Sequence, residues 1–217
     1  MSNNKLPVVI LISGRGSNLQ AIIDAQQKGE LDVDIKAVIS NRPGVTGLER
    51  ASKVGIPALT LDHKTYASRD EFDQALQQCI DQFEPQLIIL AGFMRVLGDD
   101  FVNHYRARML NIHPSLLPKY PGLNTHQLAL DNHDTVHGAS VHFVTTELDG
   151  GPVVIQTEVP VMAEDSADSL AARVLPQEHQ IFCQAIQWYA DKRLKMEHDQ
   201  AYLDNEKLIR PHVMKTE

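Results

Sequence analysis

The strongest constraint on the fold is an alternation. Residues 6–13, 35–41, 58–62 and 86–93 are apolar, β-branched runs that read as strands. Between and after them, residues 18–28, 47–54, 68–83 and 99–105 read as helices. The helix at 68–83 places Phe72, Leu76, Ile80 and Phe83 at the spacing of one helical face. The run at 86–93 is almost continuously apolar, as in a strand covered on both faces. A further strand follows at 109–113. Strand–helix–strand order of this kind predicts a parallel sheet, because parallel neighbours need a long crossover.

After residue 135 the pattern changes. Residues 137–145 and 151–161 read as two longer strands joined by a tight turn, hence an antiparallel hairpin. Residues 166–190 read as a helix, with Ser166 and Ser169 as candidate caps. The tail from Asp191 is charged and weakly patterned, and residues 114–135 read as a loop. The expected class is α/β: an open, mostly parallel twisted sheet with helices on both faces, Rossmann-like in the N-terminal half, with an antiparallel hairpin in the C-terminal half. One domain is expected over 1–217, with halves at about 1–108 and 109–217.

Composition narrows the partners. A net charge of −8 over 217 residues argues against a general basic surface for nucleic acid. It leaves room for an anionic small ligand, since a few local donors can dominate a site. No apolar run is long enough to span a bilayer. The first five residues look like a small extension without the apolar segment of a signal peptide, so a cytoplasmic protein is expected. Cys79 and Cys183 lie in helical stretches without metal or CxxC spacing, and read as buried free thiols.

Three motifs carry chemistry. The first is S-G-R-G-S-N at 13–18, after the first strand and opening the first helix, where α/β sheets bind ligands. Gly14 and Gly16 permit close backbone approach, and the helix N-terminus suits an anion. Ser17 and Gln20 fit a capping box. Leu19 stands where a dinucleotide fingerprint needs its third glycine, and no Gly-Lys-Ser/Thr occurs. The readings left are a monophosphate site or a plain glycine turn.

The second motif is N-I-H-P-S-L-L-P-K-Y-P-G at 111–122. Residues two apart on a strand share a face, so Asn111 and His113 are neighbours while Ile112 points away. An amide N–H beside an imidazolium suits a developing oxyanion. The alternative is a satisfied polar pair at a strand end. Pro114, Pro118, Pro121 and Gly122 turn the chain and stiffen a wall. The third motif is D-G-G at 149–151. It is either a hairpin turn or the place from which Asp149 reaches His113, where a carboxylate would favour the charged imidazolium. His137 and His142 lie five apart on a predicted strand and face opposite sides, and no H-E-x-x-H or G-x-S-x-G occurs, so neither a metal site nor a serine hydrolase is expected.

Taken with L-A-G-F-M-R-V-L and H-F-V-T-T-E-L-D-G-G-P, these motifs closely resemble the folate-dependent formyltransferases that act on glycinamide ribonucleotide in purine synthesis. The likeness covers almost the whole chain, and N-I-H-P-S-L-L-P alone is shared with other formyl-transferring folate enzymes, such as methionyl-tRNA formyltransferase. The resemblance implies a catalytic set of Asn111, His113 and Asp149. It implies that Gly16, Ser17, Asn18, Gln177 and Glu178 hold the ribonucleotide. It implies that Arg69, Met94, Arg95, Val96, Leu97, Asn111, Thr145, Thr146, Glu147, Leu148 and Asp149 meet the folate. Asn124 stands where the bacterial pattern has histidine, and Leu175 and Pro176 also depart from the pattern.

The implied co-substrate is 10-formyltetrahydrofolate, with no metal, nicotinamide or flavin. The implied partners are small molecules only, without nucleic acid or membrane, in a monomer or homodimer. The rival readings are a formyltetrahydrofolate hydrolase and a non-catalytic folate- or nucleotide-binding regulator.

Overall fold

A computed structural model describes residues 5–214. Most of the short N-terminal extension, residues 1–4, lies outside the described residues. The chain is α/β, with a mostly parallel mixed sheet of eight strands and a separate three-stranded antiparallel sheet. It divides into two compact units, one ending at Asn111 and the other beginning at Ile112. Among the described residues no helix is long and apolar enough to cross a membrane.

The first unit contains strands β1 (Leu6–Ile12), β2 (Val33–Ser40), β3 (Ala58–Thr60) and β4 (Leu87–Leu90), with the start of β5 (Met109–His113). Its helices are α1 (Ser17–Lys28), α2 (Thr46–Lys53), α3 (Arg69–Asp81) and α4 (Asp99–His104). The strands run parallel in the order β5-β4-β1-β2-β3. The apolar runs become strands because they are buried on both faces, with Val8 to Ile12 and Leu87 to Leu90 all in the core. The chain moves outward from β1 to β3 and then returns to β4 on the other side of β1. The order therefore reverses between β1 and β4, and the loops after these strands emerge side by side at their carboxyl ends. Open α/β sheets bind ligands at such a reversal.

The second unit continues β5 and adds α5 (Thr125–Asp131), β6 (Val136–Phe143), β7 (Val153–Pro160) and α6 (Ala167–Ala190). β6 and β7 pair antiparallel, and α6 packs on both. Ser166 caps α6 reciprocally with Ser169: each side chain accepts the other's backbone N–H, at 3.2 and 3.0 Å. Pro176 sits inside α6, where it removes one ladder hydrogen bond.

Four features differ from the sequence reading. The β6–β7 connection spans residues 144–152 instead of a tight D-G turn. Its own turn is at Glu147–Gly150, closed by the Gly150 N–H donating to Glu147 O. Residues 125–131 form the short helix α5, which begins after Asn124 in a left-handed conformation (φ 60). The charged tail folds into β8 (Leu194–Glu197), β9 (Gln200–Leu203) and β10 (Glu206–Lys207), followed by β11 (His212–Met214) parallel to β7. Cys79 and Cys183 are free thiols but half-buried.

Candidate active site

The glycine loop follows β1. Gly16 takes a left-handed φ of 70°, and a Cβ there would lie 2.8 Å from the Cα of Gly47. Both facts demand glycine. The Gly47 N–H in turn donates to the Gly14 carbonyl at 3.1 Å, which ties α2 to the loop. Arg50 of α2 donates to the Arg15 carbonyl (2.9 Å) and to Gln20 Oε1 (3.0 Å). Gln20 is thus engaged with Arg50 and Asp24, and α1 has no side-chain cap; the Ser17–Gln20 capping box does not form. The consequence favours a ligand: the first N–H groups of α1 receive no hydroxyl from the chain's own cap residue, as an anion site requires.

The loop after β4 carries Met94, Arg95, Val96 and Leu97. Met94 and Val96 are more than half exposed, unusual for large apolar side chains. Arg95 lies with its guanidinium 4.6 Å above the Phe72 ring of α3. Arg69, exposed at the start of α3, contributes a positive charge near Asp73, and so does Arg95. The first unit therefore brings the 94–97 segment, Arg69 and Ser13 at the start of the glycine loop into one region.

The second unit gathers the titratable groups. His113, almost fully buried at the end of β5, has an acceptor at each ring nitrogen. Nε2 donates to the Tyr120 carbonyl at 2.8 Å, and Nδ1 lies 3.5 Å from Asp149 Oδ2. That carboxylate oxygen also accepts the Gly122 N–H at 2.8 Å. Asp149 holds a left-handed φ of 50° in the 144–152 loop, which turns its side chain to this duty. Asn111 stands two residues before His113, half-buried and paired in register with Leu90 on β4.

Sequence reasoning weighed His137 and His142 only as metal ligands and did not name His126. His142 is buried on β6 with Nε2 3.7 Å from Asp149 Oδ1, beyond hydrogen-bond range. Its Nδ1 donates to the Phe143 carbonyl, and burial pushes its pKa down to about 4, so it is neutral near pH 7. His137 pairs with His126 of α5 at 3.0 Å. Burial lowers both, His137 to about 4. The two β6 histidines thus serve different partners. The only signal for His142 was its place seven residues before Asp149, which no local rule reads.

Other expected residues fall elsewhere. Thr145, Thr146 and Glu147 line a cavity of about 510 Å³ shared with Gln200, Ala201 and the 208–211 segment. Leu148 is exposed beside Asp149. Gln177 and Glu178 lie on α6 just after Pro176; Glu178 is buried, and Gln177 Oε1 is buried with no hydrogen-bond partner. Among the described residues, no group of three or more His, Cys, Asp or Glu could hold a metal ion.

Comparison with known proteins identifies the family. The pattern described as "Formyl transferase" matches residues 6–186, and the chain belongs to that family. It is 54% identical over 201 residues to the phosphoribosylglycinamide formyltransferase of Escherichia coli, covering 93% of this chain and 95% of that one. It is 43% identical over 192 residues to human trifunctional purine biosynthetic protein adenosine-3, covering 88% of this chain and 19% of that protein. The solved structure of the Coxiella burnetii phosphoribosylglycinamide formyltransferase superimposes with a TM-score of 0.93 at 48% identity, over 97% of this chain and all of that one.

Proposed function

We propose that the chain transfers a formyl group from 10-formyltetrahydrofolate to the amino group of glycinamide ribonucleotide. The products are N-formylglycinamide ribonucleotide and tetrahydrofolate, in purine biosynthesis. The observation that carries the reading is His113, held between the Tyr120 carbonyl and the Asp149 carboxylate, two residues along β5 from Asn111.

The chemistry follows from these groups. The substrate amine attacks the formyl carbon, and the carbonyl oxygen gains negative charge. The Asn111 amide and the His113 ring donate hydrogen bonds to that oxygen. The Nδ1 side of His113, where the partner is 3.5 Å away, has the slack to accept a reacting group. Asp149 orients the ring and takes up the proton that the amine must lose. Collapse of the tetrahedral intermediate breaks the bond to the folate nitrogen, which leaves with that proton. No electrons enter or leave, so neither nicotinamide nor flavin has a role. Gly16, Ser17 and Asn18 hold the phosphate at the start of α1, with Gln177 and Glu178 as further ribonucleotide contacts. Arg69, the 94–97 segment and the 145–149 loop meet the folate.

The test is folate deformylation with and without glycinamide ribonucleotide. Turnover that requires the ribonucleotide is the expected result. Equal turnover without it would identify a hydrolase, and none in either case a silent binder. Neither alternative matches the relatives named above.

A further inference from the structure

The 94–98 segment lacks regular structure, and such loops are ordinarily mobile. Here each end is held by a buried side chain. The Met94 N–H donates to Ser13 Oγ at 2.7 Å, and the Gly98 N–H donates to Asp73 Oδ2 at 2.7 Å. Ser13 and Asp73 are 4% and 5% exposed, so water offers these two N–H groups little replacement.

Each holder is itself anchored. Ser13 Oγ donates to Asn41 Oδ1 at 2.6 Å, and the Asn41 carbonyl accepts from His63 at 2.7 Å. Ser13 also begins the glycine loop, so one hydroxyl joins the two strand-end loops on either side of the sheet reversal. Asp73 sits on α3 between Phe72, under Arg95, and the turn that leads to α4. Burying a carboxylate is costly. Burial raises the Asp73 pKa, while the Gly98 N–H and the charges of Arg95 and Arg69 oppose the rise; Oδ1 has no hydrogen-bond partner. A Cβ on residue 98 would come 3.0 Å from Asp73 Oδ2, so glycine gives the carboxylate its approach.

We propose that Ser13 and Asp73 are positioning residues for the folate: they fix both ends of the 94–98 segment so that Met94 and Val96 form a preformed apolar wall. The proposal rests on the reading of 94–97 as a folate-binding segment. A preformed wall spares the ligand the cost of ordering the loop. The two residues differ in reach. Asp73 touches only the folate segment, whereas Ser13 also borders the phosphate loop.

The experiment uses the full chain and measures dissociation constants for tetrahydrofolate and for glycinamide ribonucleotide, with amide hydrogen exchange over residues 94–98. In the wild type, tetrahydrofolate should slow exchange across this segment; binding without that protection would overturn the folate reading of the segment, and the proposal with it. Given that protection, Asp73→Ala should weaken tetrahydrofolate about tenfold, the worth of roughly one buried hydrogen bond, and leave the ribonucleotide unchanged. Asp73→Asn keeps an acceptor for Gly98 and should recover most of the loss. Ser13→Ala should weaken both ligands, with faster exchange at Met94. If Asp73→Ala does not fold, the comparison of Asp73→Asn with Ser13→Ala carries the test through exchange at Gly98 and Met94. Unchanged folate affinity and exchange in folded variants, or equal loss of both ligands in Asp73→Ala, would overturn the positioning role while leaving the folate reading intact.

Discussion

The two units build binding surfaces in different ways. In the first, the loops after β1 and β4 work through backbone: glycines, helix N–H groups and two buried acceptors that hold a segment still. In the second, titratable side chains gather around Asp149 and His113: His137 and His142 are buried and His126 is half-buried. The first unit therefore supplies shape mainly through backbone, with Asp73 as a buried carboxylate among its supports. The second supplies charge, and pays for it in sensitivity to protonation.

The sharpest way to break this contrast is His113→Ala. Transfer should fall at least about a hundredfold if His113 is the oxyanion donor proposed above, while ribonucleotide affinity measured by calorimetry stays the same. Loss of that affinity would make His113 a scaffold residue instead.

Next in size is the pH response of stability. His137 and His142 have folded pKa values near 4, below the ordinary 6.5. As pH falls from about 6.5 to about 4, the unfolded chain takes up protons that the folded chain refuses. Stability is fully present above that window and declines within it, by up to about 3 kcal/mol for His137 alone. Urea unfolding at pH 7.5, 5.5 and 4.5 checks this, and His137→Asn should flatten the decline. A flat profile in the wild type would remove the contrast between the units.

Gly16→Ala tests the first unit's dependence on backbone. The left-handed φ and the contact with Gly47 should cost about 1–2 kcal/mol of stability and raise the KM for the ribonucleotide, with the folate affinity little changed. The smallest effect is expected at Ser166→Ala, which removes the α6 capping box for about 1 kcal/mol in thermal or urea unfolding and leaves both affinities unchanged.

The parallel half was legible because burial on both faces forces continuous apolar runs, such as Leu87 to Leu90, set between helical patterns. The strand end with Asn111 and His113 was legible from the same period-two rule that governs any strand. The C-terminal strands were not. Their turns place His198 with Asp199, and Asp204 with Asn205, at positive φ between paired strands, where the usual signal is Asn-Gly or Asp-Gly. Helix α5 was missed because Asn124 enters it without a side-chain cap, and Thr125 spends its hydroxyl on the Pro114 carbonyl. The 144–152 loop was mistaken for a tight turn because D-G there shapes a local bend and not the hairpin itself. Ser13 and Asp73 escaped because their partners lie 81 and 25 residues away in sequence.

The acceptor for His113 Nε2 is a main-chain carbonyl, that of Tyr120, reached within the same short stretch that carries the imidazole. Systematic alanine replacement would never expose it. Tyr120→Ala removes the phenol and its bond to Asp134 but leaves the carbonyl in place. A residue-by-residue scan would therefore rank position 120 as ordinary, although its backbone sets the direction of the His113 ring.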